Sequence, residues 1–162
     1  LDSQIIDIAD QAGERGYDAG KKVKGRKRNI LVDTLGIILL LTVTVASVQD
    51  REGAKQLLQP LENTRPRITK IWADGGYSGE DFSDWVSKVR DDDEQEIDLE
   101  IVKRSDDVSG FKVLPHRWIV ERTFAWLMKY RRLVRDYEVR IDSSESMIYI
   151  AMIRRMVKNI AK

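Results

Sequence analysis

The sequence has no cysteine and a single histidine, His116. The first absence excludes a disulfide framework, a thiolate zinc site and a cysteine nucleophile, and the second argues against a histidine-rich metal site. No long hydrophobic run is present either. The longest, Ile37 to Val48, is about half of what a membrane span needs and carries Thr42, Thr44 and Ser47. No basic-then-apolar leader opens the chain, so nothing marks it for export. These absences lead to the expectation of a soluble, cytoplasmic protein. What is present suits one domain: 162 residues, 42% of them hydrophobic, with four tryptophans. A chain of that length buries about two-thirds of its unfolded surface and is not disordered in composition. It opens at Leu1 and not at a methionine, which suggests a piece of a longer protein.

Net charge is also low, at +1 from 28 basic and 27 acidic residues, but it is unevenly spread. Residues 1–60 carry a net +1, residues 61–110 a net −7 and residues 111–162 a net +7. Lys21, Lys22, Lys24, Arg26, Lys27 and Arg28 put six cations into eight positions. A near-neutral total therefore does not argue against a polyanion as partner, because the local distribution is what a polyanion feels. A solvated surface is the plainer account of such a run.

The element order reads β-β-β-α-β-α-β-α-α. Leu1 to Ile6 reads as the end of a strand, and Gly13 to Gly25, with four glycines, as an exposed basic loop. Asn29 to Val32 and Ile37 to Ala46 predict a hairpin joined by the type I turn chemistry of Asp33-Thr34-Leu35-Gly36. Ala54, Leu57, Leu58 and Leu61 keep helical spacing, with Pro60 ending or kinking the helix. Ile68 to Ala73 is a short strand closed by Asp74-Gly75-Gly76. Phe82, Trp85, Val86 and Val89 predict an amphipathic helix capped by Ser78. Asp91 to Glu96 reads as a solvated acidic loop, and Ile97, Leu99 and Ile101 as a half-buried strand. Pro115 suits the start of a helix to about Arg132. Ser143 or Ser144 would cap a last helix with Ile150, Ile153, Val157 and Ile160 on its apolar face. A three-stranded meander followed by αβαβ makes one mixed sheet with helices on both faces, the element order of the ribonuclease H-like fold.

Without thiols, and with one imidazole, the available chemistry belongs to carboxylates. Two hard divalent ions held by acids from separate elements can clamp both oxygens of an in-line phosphoryl displacement. Asp74 ends an apolar strand before two glycines, where open α/β sheets place their sites; a turn aspartate on backbone amides is the alternative. Glu121 has the apolar same-face neighbours Phe124, Ala125 and Met128, so it either points inward toward a partner or pairs with Arg117 on an exposed helix. Asp2 taken alone reads most simply as a terminal residue, and His116 as a cap or packing residue. Lys129-Tyr130-Arg131-Arg132 is either a solvated helix end or a phosphate clamp.

Several blocks are specific. Gly-Lys-Lys-Val-Lys-Gly-Arg-Lys-Arg (20–28), Val-Asp-Thr-Leu-Gly (32–36), Trp-Ala-Asp-Gly-Gly-Tyr (72–77), Ile-Val-Lys-Arg (101–104) and Arg-Trp-Ile-Val-Glu-Arg-Thr-Phe-Ala-Trp-Leu (117–127) resemble the catalytic half of bacterial insertion sequence 5 family transposases. Tyr-Arg-Arg-Leu (130–133) and Met-Ile-Tyr-Ile-Ala-Met (147–152) extend the resemblance over essentially the whole chain. It implies a ribonuclease H-like catalytic domain over residues 1–162, an Asp-Asp-Glu triad and DNA transposition dependent on two magnesium ions, with manganese as a substitute. Asp2, Asp74 and Glu121 match the three acids, as catalytic residues and metal ligands. Arg117 fits the related Tyr-Arg-Glu-Lys signature, whereas Leu114 replaces its Tyr and Met128 its Lys. Lys21, Lys22, Lys24, Arg26, Lys27, Arg28, Arg117, Lys129, Arg131 and Arg132 are the expected phosphate contacts.

On this reading, water first cuts a phosphodiester at the element's end, and the freed 3′-hydroxyl then attacks target DNA. The expected partner is double-stranded DNA, with a homodimer assembled on it, no membrane, and a location near the bacterial nucleoid. A DNA-recognition region N-terminal to the triad is expected but not present in the sequence. The alternatives are an inactive DNA-binding remnant and a metal-dependent nuclease without strand transfer. In the implied fold the first strand runs parallel to the strand ending at Ala73, which brings Asp2 to Asp74. Asp33 then falls on the order of 20 Å away, at the other end of six residues of strand, as a turn residue bonded to nearby amides.

Overall fold

Residues 1–63, 68–90, 96–102 and 117–161 are described by a computed structural model. Strands β1 (Asp2–Asp7), β2 (Gly16–Asp18), β3 (Val23–Val32) and β4 (Ile38–Val45) form one antiparallel sheet. β3 is its central strand, with Asp2 opposite Ile30 on one side and Leu41 opposite Ile30 on the other. The expected meander is therefore β1-β3-β4, and the short β2 pairs with the beginning of β3. Strands β5 (Lys70–Ala73) and β6 (Asp98–Ile101) form a separate parallel ladder. The single sheet expected from the sequence is thus two ladders, and the Leu1 amine joins them by donating to the Trp72 carbonyl at 2.8 Å.

Consecutive strand residues point to opposite faces, and Ile30 and Leu31 accordingly enter different cores. Leu31 packs with Leu1, with β5, and with helices α1 (Asp50–Leu58) and α2 (Glu80–Ser87). Ile30 packs with β4 and with helices α3 (Arg117–Leu127) and α4 (Ile141–Ile160). Ala54, Leu57, Leu58 and Leu61 are all buried, as their spacing predicts. Pro60 falls in a 3-10 turn, Gln59–Asn63, that ends α1, because proline offers no N–H to continue the ladder. Burial of each leucine is worth about 1.5–3 kcal/mol.

Four local expectations are corrected. Ser78 does not cap α2; its hydroxyl donates to the Gly75 carbonyl, and Gly79 occupies the cap position. Ser143 and Ser144 lie inside the first turn of α4, which starts two residues earlier, and Ser144 donates to buried Asp136 at 2.7 Å. The buried face of α4 is Ser144, Ile148, Ala151 and Met152, while Ile150, Ile153, Val157 and Ile160 are exposed. The two stripes are rotated around the helix, and contact with β4 and α3 selects the first.

The fourth concerns residues 13–25, expected as an exposed basic loop. β3 begins at Val23, and Arg26, Lys27 and Arg28 are 0%, 2% and 1% exposed. Burying a cation is costly unless it is paired or hydrogen-bonded. Arg26 donates to the carbonyls of Glu14, Glu138 and Val139 and pairs with Asp136 at 3.3 Å. Lys27 reaches Asp50 at 2.8 Å, Asp18 at 3.4 Å and the Val48 carbonyl at 2.7 Å. Arg28 donates to the Leu133 carbonyl, and burial lowers its pKa to about 10 against the opposing pull of Asp136. These three residues are internal ties and cannot reach a phosphate. Lys21, Lys22 and Lys24 remain exposed.

Candidate active site

Asp2 opens β1, and Asp74 follows the last residue of β5. Ser3 donates its N–H to Asp2 Oδ1 at 2.7 Å. Asp74 has φ −82° and caps a 3-10 turn, Gly75–Tyr77, by accepting from the Gly76 N–H at 2.9 Å. Its turn role and its position at a strand end therefore coexist. The Leu1 amine lies beside both acids. Burial pulls that amine's pKa down to about 6, and the charges of Asp2 and Asp74 oppose the fall.

A third acid, Asp50, approaches from the first turn of α1. Its Oδ1 accepts from the Ser3 hydroxyl at 2.9 Å and pairs with Lys27 at 2.8 Å. Burial pushes the Asp50 carboxyl up, but the hydrogen bonds from Lys27 and Ser3 outweigh it and hold the group below the ordinary range. A methyl group at Gly76 would come 3.1 Å from Asp74 Oδ1 and 3.9 Å from Asp50 Oδ2, so glycine there keeps the space between the two acids open. The phenol of buried Tyr77 faces the same cluster. Its pKa is raised by burial first and then by Asp2, Asp50 and Asp74. The sequence singled out neither Asp50 nor Tyr77. The only local sign of Asp50 is an acid in a helix's first turn, which the helix dipole already explains.

Glu121 lies on α3 and is exposed, not inward as its apolar neighbours suggested; Val120 and Phe124 are the buried residues there. Val120 lines a cavity of about 280 Å3 that is also lined by Asp2 and Asp74, so Glu121 is one position along the helix from the space the two aspartates share. Asp2 and Asp74 are the hard oxygen donors that magnesium takes. Among the described residues, however, no group of three or more acidic or histidine side chains is gathered to hold a metal ion, so Asp2, Asp74 and Glu121 do not close into one.

Asp33 accepts from the N–H groups of Leu35 at 2.9 Å and Ile37 at 2.8 Å, the turn role expected of it. Its expected distance from Asp2 is corrected. β1 begins at Asp2 and does not end there, and with Asp2 opposite Ile30 the turn starts only three residues farther along β3. Asp33 consequently lines the same cavity. The turn rests on α3 through hydrogen bonds from Arg122 to the Leu35 carbonyl and from Thr123 to the Gly36 carbonyl, both 2.8 Å.

Of the expected phosphate contacts, Lys129, Arg131 and Arg132 are exposed, and Arg132 pairs with Glu138 at 2.7 Å. The side chain of Arg117, together with Pro115, His116, Leu114 and positions 91–95 of the acidic run, lies outside the described residues. Among the described residues no helix is long and apolar enough to cross a membrane.

No solved structure matches the chain. A protein of Burkholderia cepacia described as a transposase for insertion sequence element IS402 is 33% identical over 129 residues, which cover 73% of this chain and 56% of that protein. The present chain thus corresponds to little more than half the length of that relative. The family model for the transposase DDE domain matches residues 1–156. The chain belongs to the transposase DDE domain family.

Proposed function

We propose that residues 1–162 form the catalytic domain of a DNA transposase with a ribonuclease H-like fold, acting on the ends of an insertion sequence and on target DNA. The observation that carries this reading is that Asp2, at the start of β1, and Asp74, just after β5, line one cavity. The resemblance of the blocks around Asp2, Asp74 and Glu121 to the family's motifs supports the same pair and brings in Glu121.

Asp2 and Asp74 are the residues that would hold magnesium, or manganese in its place, and Glu121, not gathered with them in this structure, would join the set from α3. When bound, the metal supplies a Lewis acid for phosphate oxygens and lowers the pKa of coordinated water. Glu121 orients the attacking group and takes its proton. Water attack on a phosphodiester releases a 3′-hydroxyl at the element's end, and that hydroxyl then displaces a phosphodiester oxygen in the target strand. Exposed Lys21, Lys22, Lys24, Lys129, Arg131 and Arg132 hold the DNA backbone and set its position without reading its sequence. The active assembly is a homodimer on DNA in the bacterial cytoplasm, and a separate N-terminal region recognises the element's ends.

The test uses the full-length transposase with magnesium and a labelled element end. Glu121→Gln keeps the side chain's size but removes its charge. It is expected to abolish cleavage while leaving DNA affinity within about twofold. Retained cleavage would leave Glu121 as a surface residue and overturn its role. Supplying a pre-cut end with a 3′-hydroxyl then separates the two enzyme readings: joining to target supports transposition, and hydrolysis without joining identifies a nuclease. Absence of both in the unaltered protein identifies a DNA-binding remnant.

A further inference from the structure

Asp2, Asp33 and Asp74 line the cavity from the strands, and Ile119 and Val120 line it from α3. Whatever fixes α3 against the sheet therefore fixes the place from which Glu121 approaches the two aspartates. Val120, Phe124 and Leu127 of α3 pack in one core with Ile30 of β3 and Leu41 of β4. Apolar burial is non-directional, so it favours contact without selecting one rotation of the helix. Hydrogen bonds are directional, and α3 makes two of them to successive carbonyls of the turn between β3 and β4. Arg122 donates to Leu35 and Thr123 to Gly36, each at 2.8 Å. One residue along a helix is a rotation of about 100° and a rise of about 1.5 Å, so adjacent donors on adjacent carbonyls set both the rotation and the height of α3. The turn that receives them is itself fixed. Asp33 Oδ1 accepts from Leu35 and Ile37, and the Gly36 N–H donates to the Asp33 carbonyl at 3.0 Å. A methyl group at Gly36 would lie 2.9 Å from Thr123 Oγ1, 3.1 Å from the Trp126 ring and 3.2 Å from Arg122 Nη2, which shows how closely three side chains of α3 enclose the turn.

Trp118, Arg122 and Trp126 follow the four-residue spacing of one helix face. The Arg122 guanidinium carbon lies 4.3 Å from the centre of the Trp118 ring and 4.7 Å from that of Trp126, and the Arg155 guanidinium of α4 lies 3.3 Å from the Trp126 ring centre. Stacking on two indoles confines a long side chain and leaves the edge of its planar group to donate. We propose that Arg122 is a positioning residue for Glu121: its bond to the Leu35 carbonyl, together with that of Thr123 to Gly36, sets the rotation of α3 from which Glu121 reaches the space shared by Asp2 and Asp74. With the backbone so fixed, the side-chain torsions of Glu121 bring its carboxylate in. Arg122 acts through the helix and needs no contact with DNA. This inference rests on the transposase reading and on the role given there to Glu121.

The experiment uses the full-length transposase with magnesium and a labelled element end, in single turnovers run below the unfolding midpoint of every variant. Arg122→Met keeps most of the volume between the indoles and removes the hydrogen bond, and Arg122→Lys keeps a cation and a donor. A misplacement of about 1 Å costs up to about a hundredfold in rate. Arg122→Met is therefore expected to lower the cleavage rate constant by at least about tenfold, with DNA affinity within about twofold and the reacting fraction unchanged. Arg122→Lys should recover part of that rate. Thr123→Val removes the second bond at constant size and should also slow cleavage; combined with Arg122→Met it should cost less than the product of the two effects, because both bonds hold one joint. If Arg122→Met does not fold, Thr123→Val is judged by the same criteria. A smaller reacting fraction with the rate constant held within about twofold would make Arg122 purely structural and overturn the proposal. Weaker binding with a flatter salt dependence would make it a phosphate contact, which also overturns it. Glu121→Gln is the control. Full cleavage by that variant overturns the role of Glu121 and this inference with it, whereas loss of cleavage there beside an unchanged rate in Arg122→Met overturns this inference alone.

Discussion

Replacing Arg26 by Met tests whether the basic run serves the fold or the DNA. Arg26 is fully buried and donates to three carbonyls, those of Glu14, Glu138 and Val139, besides its 3.3 Å pair with Asp136. The methionine keeps most of the volume and loses every one of these bonds. Asp136, also buried, keeps its bonds from the Ser144 hydroxyl at 2.7 Å and the Glu138 N–H at 3.0 Å, with its charge no longer opposed by Arg26. Breaking a buried pair from one side typically costs about 3–5 kcal/mol, because the remaining charge stays desolvated. At about 2–4 °C per kcal/mol for a domain of this size, the unfolding midpoint falls by about 6–20 °C. Circular dichroism melts at neutral pH measure that shift, and a salt titration of DNA affinity, run well below the variant's midpoint, measures the electrostatic contribution. A phosphate contact would lower the salt slope by about 0.9, whereas an internal tie leaves it unchanged. A variant that melts within about 1 °C of the parent but loses that slope would refute the structural assignment.

Joint replacement of Lys21, Lys22 and Lys24 by Gln is expected to do the converse: stability holds within about 0.5 kcal/mol, while affinity for all DNA sequences drops and the salt slope flattens by up to about 0.9 per lost contact. A loss confined to one sequence would make the segment a base reader. Gly36 has φ +85°, and a methyl there would lie 2.9 Å from Thr123 Oγ1 and 3.1 Å from the Trp126 ring, so Gly36→Ala is expected to cost about 1–3 kcal/mol in urea unfolding. Asp50 is held below its ordinary pKa of 3.8, so its contribution to stability is present above that value and is lost as pH falls through the lower folded-state value. Asp50→Asn should flatten the acid limb of a plot of urea midpoint against pH, and an unchanged limb would remove Asp50 from the Lys27 network.

Much of the local structure was legible because its cause is local. The Asp33–Gly36 turn follows from an aspartate that accepts from two nearby N–H groups and a glycine at positive φ. Helix α1 follows from Ala54, Leu57 and Leu58 on one face, and its end from Pro60. The alternation of Ile97, Leu99 and Ile101 is the pattern of β6. Asp2, Asp74 and Glu121 became candidates through the motifs around them, and position at the end of β5 supports the second.

Other features depended on partners distant in sequence. Arg26 and Lys27 look like solvent-exposed cations until Asp136, from the segment between α3 and α4, and Asp50, from the first turn of α1, arrive to neutralise them. Charge in a sequence carries a sign but no destination, and burial decides whether it meets a carboxylate or water. The same holds for α4, where two apolar stripes compete and only the surfaces of β4 and α3 choose between them. Asp33 and Asp2 share a cavity because of strand register, which long-range pairing sets and residue spacing does not reveal. The sequence by itself determined the short-range turns, the helix and strand periods and the family of the chain. Tertiary structure decided which cations are internal, which helix face is buried and which acids approach one another, because each of these is a contact between segments whose separation along the chain holds no record of their distance in space.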